Sequence, residues 1–114
     1  MSKTLKLGEI SIKELNNSDF DLFIRNNKTA VIDFFAEWCM PCLMMVPVIE
    51  ELSKKFAGRI GFAKLNVDEN REIATKFKIM SIPTIIVFKG GEQVERITGA
   101  QSSDILAEKL KKFL

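Results

Sequence analysis

The sequence predicts a single α/β domain with a mixed five-stranded sheet flanked by four helices. Three observations predict it. Apolar periodicity alternates along the chain between the two-residue repeat of strands and the 3.6-residue repeat of helices. The β-rich run Thr29 to Ala36 passes directly into a helical pattern, as in a strand buried on both faces. Near the end, Gly90-Gly91 separates two strand-like runs and marks a two-residue hairpin, which makes the last pairing antiparallel. The 114 residues are 46% hydrophobic and 28% charged, a globular balance for one domain. Such a chain buries roughly 65% of its unfolded surface and does not depend on a disulfide or metal staple.

The elements follow in order. Ile10 to Leu15 alternates weakly as a first strand, and residues 1–9 form an N-terminal extension to a domain spanning 10–114. Ser18 is a suitable N-cap for a helix from Asp19 to Asn26, with Phe20, Phe23 and Ile24 inward. Thr29 to Ala36 is the second strand. From Cys39 to Phe56 a helix places Cys42, Met45, Ile49, Leu52 and Phe56 on one face and Glu50, Glu51, Lys54 and Lys55 on the other. Pro41 suits a first turn, whereas Pro47 should kink the helix. Met44-Met45 reads as core packing. Arg59 to Val67 is a third strand and Glu69 to Phe77 a short helix. Thr84 to Phe88 and Gln93 to Thr98 form the hairpin, and Ser102 or Ser103 caps a last helix rich in C-terminal lysines. The order is β-α-β-α-β-α-β-β-α, so helices should cover both faces of the sheet.

Composition excludes several functions. Seventeen basic and fifteen acidic residues are mixed along the chain, a net +2 that gives no nucleic-acid footprint. No run reaches the ~18 apolar residues of a membrane span. The charged N-terminus has no apolar stretch behind it, so no signal peptide is expected and the expected compartment is the cytoplasm. A monomer is the default. With no His and only two Cys, imidazole chemistry and most zinc designs are unsupported.

The sharpest chemical feature is Trp38-Cys39-Met40-Pro41-Cys42, where the buried strand gives way to the amphipathic helix. Two thiols three residues apart on a first helical turn lie within disulfide reach. The helix N-terminus favours a thiolate at Cys39, the attacking nucleophile. Cys42, one turn on, can attack the resulting mixed disulfide. Both halves of an exchange cycle are present without another cofactor. Three weaker alternatives remain: a zinc site, which lacks a second ligand pair; a structural disulfide, which closes too short a loop to remove much chain entropy; and two free core thiols, against which Trp38 and the neighbouring prolines favour an exposed turn. Asp33 lies inside an apolar strand, where burial raises a carboxyl pKa. The following helix should fold back and bring it beneath Cys42. Lys64 lies mid-strand between Ala63 and Leu65, and its stem could simply snorkel. Pro83 has a plain reading as a strand-edge residue.

The run Ala36-Glu37-Trp38-Cys39-Met40-Pro41-Cys42 resembles the active-site loop of the thioredoxin family. The similarity extends through Val31 to Phe35, Lys64 to Asn70, Ile82-Pro83-Thr84 and Gly99-Ala100. It implies a thioredoxin fold, reduction of disulfides in target proteins and re-reduction by a flavin-containing thioredoxin reductase. It further implies that Asp33 accepts the Cys42 proton, that Lys64 modulates Asp33, and that Pro83 is cis and faces the cysteines. Ile82 would then pair its backbone with an extended substrate. Trp38, Met40, Pro41, Ile82, Pro83 and Gly99-Ala100 would form the docking surface. Met40 stands where the family most often has Gly, and Phe35 where many members have a second Trp. Pro41, in place of the His of oxidases and isomerases, implies a reducing pair.

Overall fold

The computed structural model describes residues 12–114. Its elements are β1 (Lys13–Leu15), α1 (Phe20–Asn26), β2 (Thr29–Phe35), α2 (Met40–Lys55), β3 (Gly61–Asn66), α3 (Arg71–Lys76), β4 (Thr84–Lys89), β5 (Glu92–Thr98) and α4 (Ser103–Lys111). The expected order is therefore found, with boundaries moved by a few residues. The 1–9 extension and the start of the expected first strand at Ile10 lie outside the described residues.

The strands lie in the order β1-β3-β2-β4-β5. β1 and β2 both run parallel to β3, while β4 is antiparallel to β2 and β5 to β4. Strand alternation divides β2 between two cores. Val31 faces the side covered by α2 and α4, with Met45, Ile49, Leu52, Phe56, Leu106 and Leu110. Ala30, Ile32 and Phe34 face the side covered by α1 and α3, with Phe20, Ile24 and Ile73. A strand with a core on each face has to be apolar at nearly every position, which explains the almost continuous run in β2. Asp33, two residues from Val31, belongs to the α2 face.

Several expectations need correction. Ser18 does not cap α1: the N-cap position is Asp19, without a side-chain capping bond. Instead Asn16 Oδ1 accepts from Ser18 N at 2.8 Å, Ser18 Oγ at 2.7 Å and Asp19 N at 3.1 Å. The hydroxyl turns toward Asn16 within the turn, and the helix begins one residue later than Ser18 would place it, so Ser18 is not its cap. Met45 is core but Met44 is 68% exposed, because adjacent helical residues differ by about 100° in direction. The helix expected to carry Pro47 does so, α2 running from Met40 to Lys55 around it. The β4–β5 register also shifts, with Val87 opposite Glu95 but Phe88 opposite Gln93. Val94 is the additional residue, as in a β-bulge.

Two turns match their sequence signals. Gly90 and Gly91 both have positive φ, 62° and 85°, as a two-residue hairpin between Lys89 and Glu92 requires. Ser102 caps α4, its hydroxyl accepting from Ile105 N at 3.3 Å.

Candidate active site

The site is assembled at one end of the sheet by register. Phe35 at the end of β2 lies opposite Asn66 at the end of β3. Because β4 is antiparallel, its first residue, Thr84, lies beside Phe34. Thr84 also pairs with Thr98, the last residue of β5. The segments that follow β2, β3 and β5 and precede β4 thus converge.

Cys39 is the N-cap residue of α2 and Cys42 lies in its first turn. The two form a disulfide, with Cα atoms 5.2 Å apart. Cys39 Sγ also accepts a hydrogen bond from the backbone N–H of Cys42 at 3.2 Å. A sulfur at an N-cap receives the free amides of the first turn, an arrangement that favours the thiolate after reduction. Both sulfur-bearing residues are buried, while Trp38, Met40 and Pro41 around them are exposed. The expected exposed turn is therefore exposed at its flanks and closed over the sulfurs.

The Ile82–Pro83 peptide is cis. The Ile82 carbonyl oxygen lies 3.9 Å from Cys39 Sγ, so this loop faces the pair. Pro83 is buried and Ile82 half-buried. The Pro83 carbonyl accepts from Gly99 N at 2.8 Å, which ties Gly99 to the same loop. Gly99 has a φ of 93°, a conformation that a side chain would strain.

Beneath the pair, Asp33 is only 5% exposed, and its Oδ1 has no hydrogen-bond partner. Asp33, Cys42, Lys64, Glu14 and Glu37 line one cavity of about 350 Å³. Desolvation raises the Asp33 pKa from 3.8 to about 7, with the positive charge of Lys64 opposing the rise. Lys64 is the register partner of Asp33, but no ion pair within 4 Å joins them among the described residues. Its ammonium sits 5.3 Å from the centre of the Phe35 ring. Lys64 thus lies near enough to influence Asp33 without neutralising it.

The thioredoxin family model matches residues 11–112 of this sequence, which span the whole of this site. The chain belongs to the thioredoxin family. It is 46% identical to a thioredoxin of Staphylococcus epidermidis over 105 residues, covering 92% of this chain and all of that one. It is 43% identical to a Staphylococcus aureus thioredoxin over the same shares. Among solved structures, a point mutant of the Halobacterium salinarum NRC-1 thioredoxin is similar at a TM-score of 0.84 and 32% identity, covering 90% of each chain. Plasmodium falciparum thioredoxin also gives 0.84, at 36% identity, covering 90% of this chain and 100% of that one. The mixed sheet with its four helices is the thioredoxin fold, and the Cys39–Cys42 pair makes the chain a thiol–disulfide oxidoreductase.

Within this thioredoxin fold, sequence reasoning singled out the cysteines, Asp33, Lys64 and the Pro83 loop, and the structure brings them together. It did not assign a role to Asp68. The Trp38 indole N–H donates to Asp68 Oδ2 at 2.8 Å, which fixes an otherwise exposed ring beside Cys39. Asp68 is held in turn by its own N–H, which donates to buried Asn66 Oδ1 at 2.9 Å. Asn66 and Asp68 stood inside a matched motif, but only their three-dimensional pairing with Trp38 gives them this function. Glu14 and Glu37 also line the Asp33 cavity, and an exposed acid in a short strand or loop carries no local signal of one.

Proposed function

We propose that this chain reduces disulfides in a broad range of target proteins and is re-reduced by a thioredoxin reductase. The supporting observation is the Cys39–Cys42 pair at the α2 N-terminus with the carboxyl of Asp33 in the cavity below it. In the reduced form, the Cys39 thiolate attacks one sulfur of a target disulfide. A Cys39–target bond forms, the target S–S bond breaks, and the departing target sulfur takes a proton. Cys42 then attacks Cys39 Sγ, the mixed disulfide breaks, and the second target thiol leaves. Two electrons pass from the dithiol to the target, and no cofactor beyond the cysteine pair is required. The reductase returns those electrons to Cys39–Cys42.

Asp33 takes the proton from Cys42 before the second attack. A pKa of about 7 suits a base at neutral pH, since it is both partly ionised and strong enough to accept. The shared cavity has room for the water that carries the proton. Trp38, Met40, Pro41, Ile82, Pro83 and Gly99 receive the target chain, whose backbone pairs with Ile82 in the manner of an added strand. That mode reads little side-chain identity, as a general reductant requires. We place this activity in the cytoplasm and assign it to a monomer. Among the described residues no helix is long and apolar enough to cross a membrane.

The decisive assay is reduction of insulin disulfides by dithiothreitol with and without the protein. Wild type accelerates precipitation of the insulin B chain, and Cys39→Ser abolishes the acceleration. Cys42→Ser retains the first attack and accumulates a covalent Cys39–insulin adduct visible on a non-reducing gel. If wild type gives no acceleration, or Cys39→Ser acts like wild type, the reductase reading fails and a binding role replaces it.

A further inference from the structure

Glu14 shares a cross-strand row with the two charged residues beside Cys42. β1 pairs Glu14 with Lys64, and β2 pairs Asp33 with the same Lys64 from the other side. Registered residues on adjacent strands project to one face, so the row reads carboxylate, ammonium, carboxylate. All three line the cavity that contains Cys42. Strand spacing sets each acid about 5 Å from Lys64 at the backbone, and the two acids about 10 Å from one another.

Lys64 is committed to neither acid. Among the described residues it forms no ion pair within 4 Å, and its ammonium rests over Phe35. The remaining charged group on the cavity is Glu37, from the loop after β2. α2 contributes Cys42, Leu43 and Val46, and β4 presents Ile85 opposite Asp33, none of them a charged side chain.

We propose that Glu14 is a positioning residue that divides the charge of Lys64 between two carboxylates and thereby governs proton transfer between Asp33 and Cys42. The inference rests on the reading of Asp33 as the base for Cys42. An ammonium drawn toward Glu14 stabilises the Asp33 anion less, and the Glu14 charge adds direct repulsion. Both effects help Asp33 keep its proton to higher pH. With Asp33 titrating at about 7, a small change in this balance alters the fraction of active base at neutral pH.

The test is a carbon-13 NMR titration of the Asp33 carboxyl in the disulfide form, where no thiol titrates, at low salt. Glu14→Gln preserves size at an exposed strand position, so the fold should stay in place. Its Asp33 midpoint should fall by about half a pH unit, the sum of the lost direct repulsion and of the Lys64 charge released toward Asp33. Lys64→Met should raise the midpoint. In the Lys64→Met background, Glu14→Gln should lose at least half of its effect. An unmoved midpoint in Glu14→Gln overturns the proposal. So does an equal shift with and without Lys64, which would make Glu14 a distant charge acting directly. The rate at which Cys42 releases a Cys39-bound probe should show an acid limb displaced by the same amount. If the NMR midpoints move and that limb is absent, Glu14 still controls Asp33 through Lys64, and it is the assignment of Asp33 as base that fails.

Discussion

At Asp33 the chemistry opposes stability. The folded chain holds the carboxyl at about 7, against 3.8 for the free group, chiefly through desolvation. Between those two pH values the folded state binds a proton that the unfolded state has released. Stability therefore falls as pH rises through this window; Asp33 adds no slope below about 4 or well above 7. The full shift corresponds to roughly 4 kcal/mol. Asp33→Asn should accordingly stabilise the protein by roughly 2–4 kcal/mol at pH 8 and by almost nothing at pH 4, measured by guanidinium unfolding. A gain of equal size at both pH values would show that shape rather than ionisation is responsible. With Asp33 acting as the proposed base for Cys42, the same substitution should also slow release of the mixed disulfide. The sequence exposed half of this argument, since an acid within Ala30 to Phe35 has to be buried or turned to an edge. The other half needed register. Nothing local shows that Lys64, thirty-one positions on, stands opposite Asp33.

Elements were legible where their end signals were uncontested. Ser102 precedes a periodic helix with no competing acceptor, and its hydroxyl caps α4. Ser18 precedes an equally periodic helix, but Asn16 already holds both its N–H and its hydroxyl. Propensity alone ranks the two serines as equals, and only the turn geometry separates them. Unfolding in urea should show the difference. Ser102→Ala should cost about 1 kcal/mol, the usual worth of an N-cap. Ser18→Ala should cost a few tenths of that, because it removes one exposed hydroxyl bond in a turn that Asn16 also holds by backbone donors. A comparable loss at both positions would mean that Ser18 supports α1 through a contact other than a cap. The same reasoning covers Met44 and Met45, which share a composition but differ in direction by one helical step. Periodicity resolves them only once the buried face is anchored by Cys42, Ile49 and Leu52.

The whole molecule separates its chemistry from much of its stability. Alternation along the strands could be read in the sequence, and so could the helical faces, which is why the mixed sheet with helices on both sides was expected. The order β1-β3-β2-β4-β5 could not, because it depends on pairing between distant segments. That order matters for function: it puts the ends of β2, β3 and β5 and the start of β4 together, and the cysteines, Asp68, Gly99 and Pro83 with them. The cysteines and Asp33 lie toward the α2 face, while Phe20 lies in the opposite core. There its ring is 5.4 Å from Phe77 and 5.7 Å from Phe88, and it is fully buried. Phe20→Ala leaves a cavity in that cluster and should cost about 3–5 kcal/mol, much of the total stability of a small domain. The sheet between the two cores is rigidly paired, so the loss should reach the folded fraction and not the site. At a temperature where the variant is still folded, its rate of insulin reduction per folded molecule should stay within about twofold of wild type, since sites this far apart rarely couple strongly. Circular dichroism would supply the folded fraction and the insulin assay the rate. A rate that fell in excess of the folded fraction would show that the aromatic core transmits strain through β2 to the active-site loop, and the two faces would have to be treated as one unit.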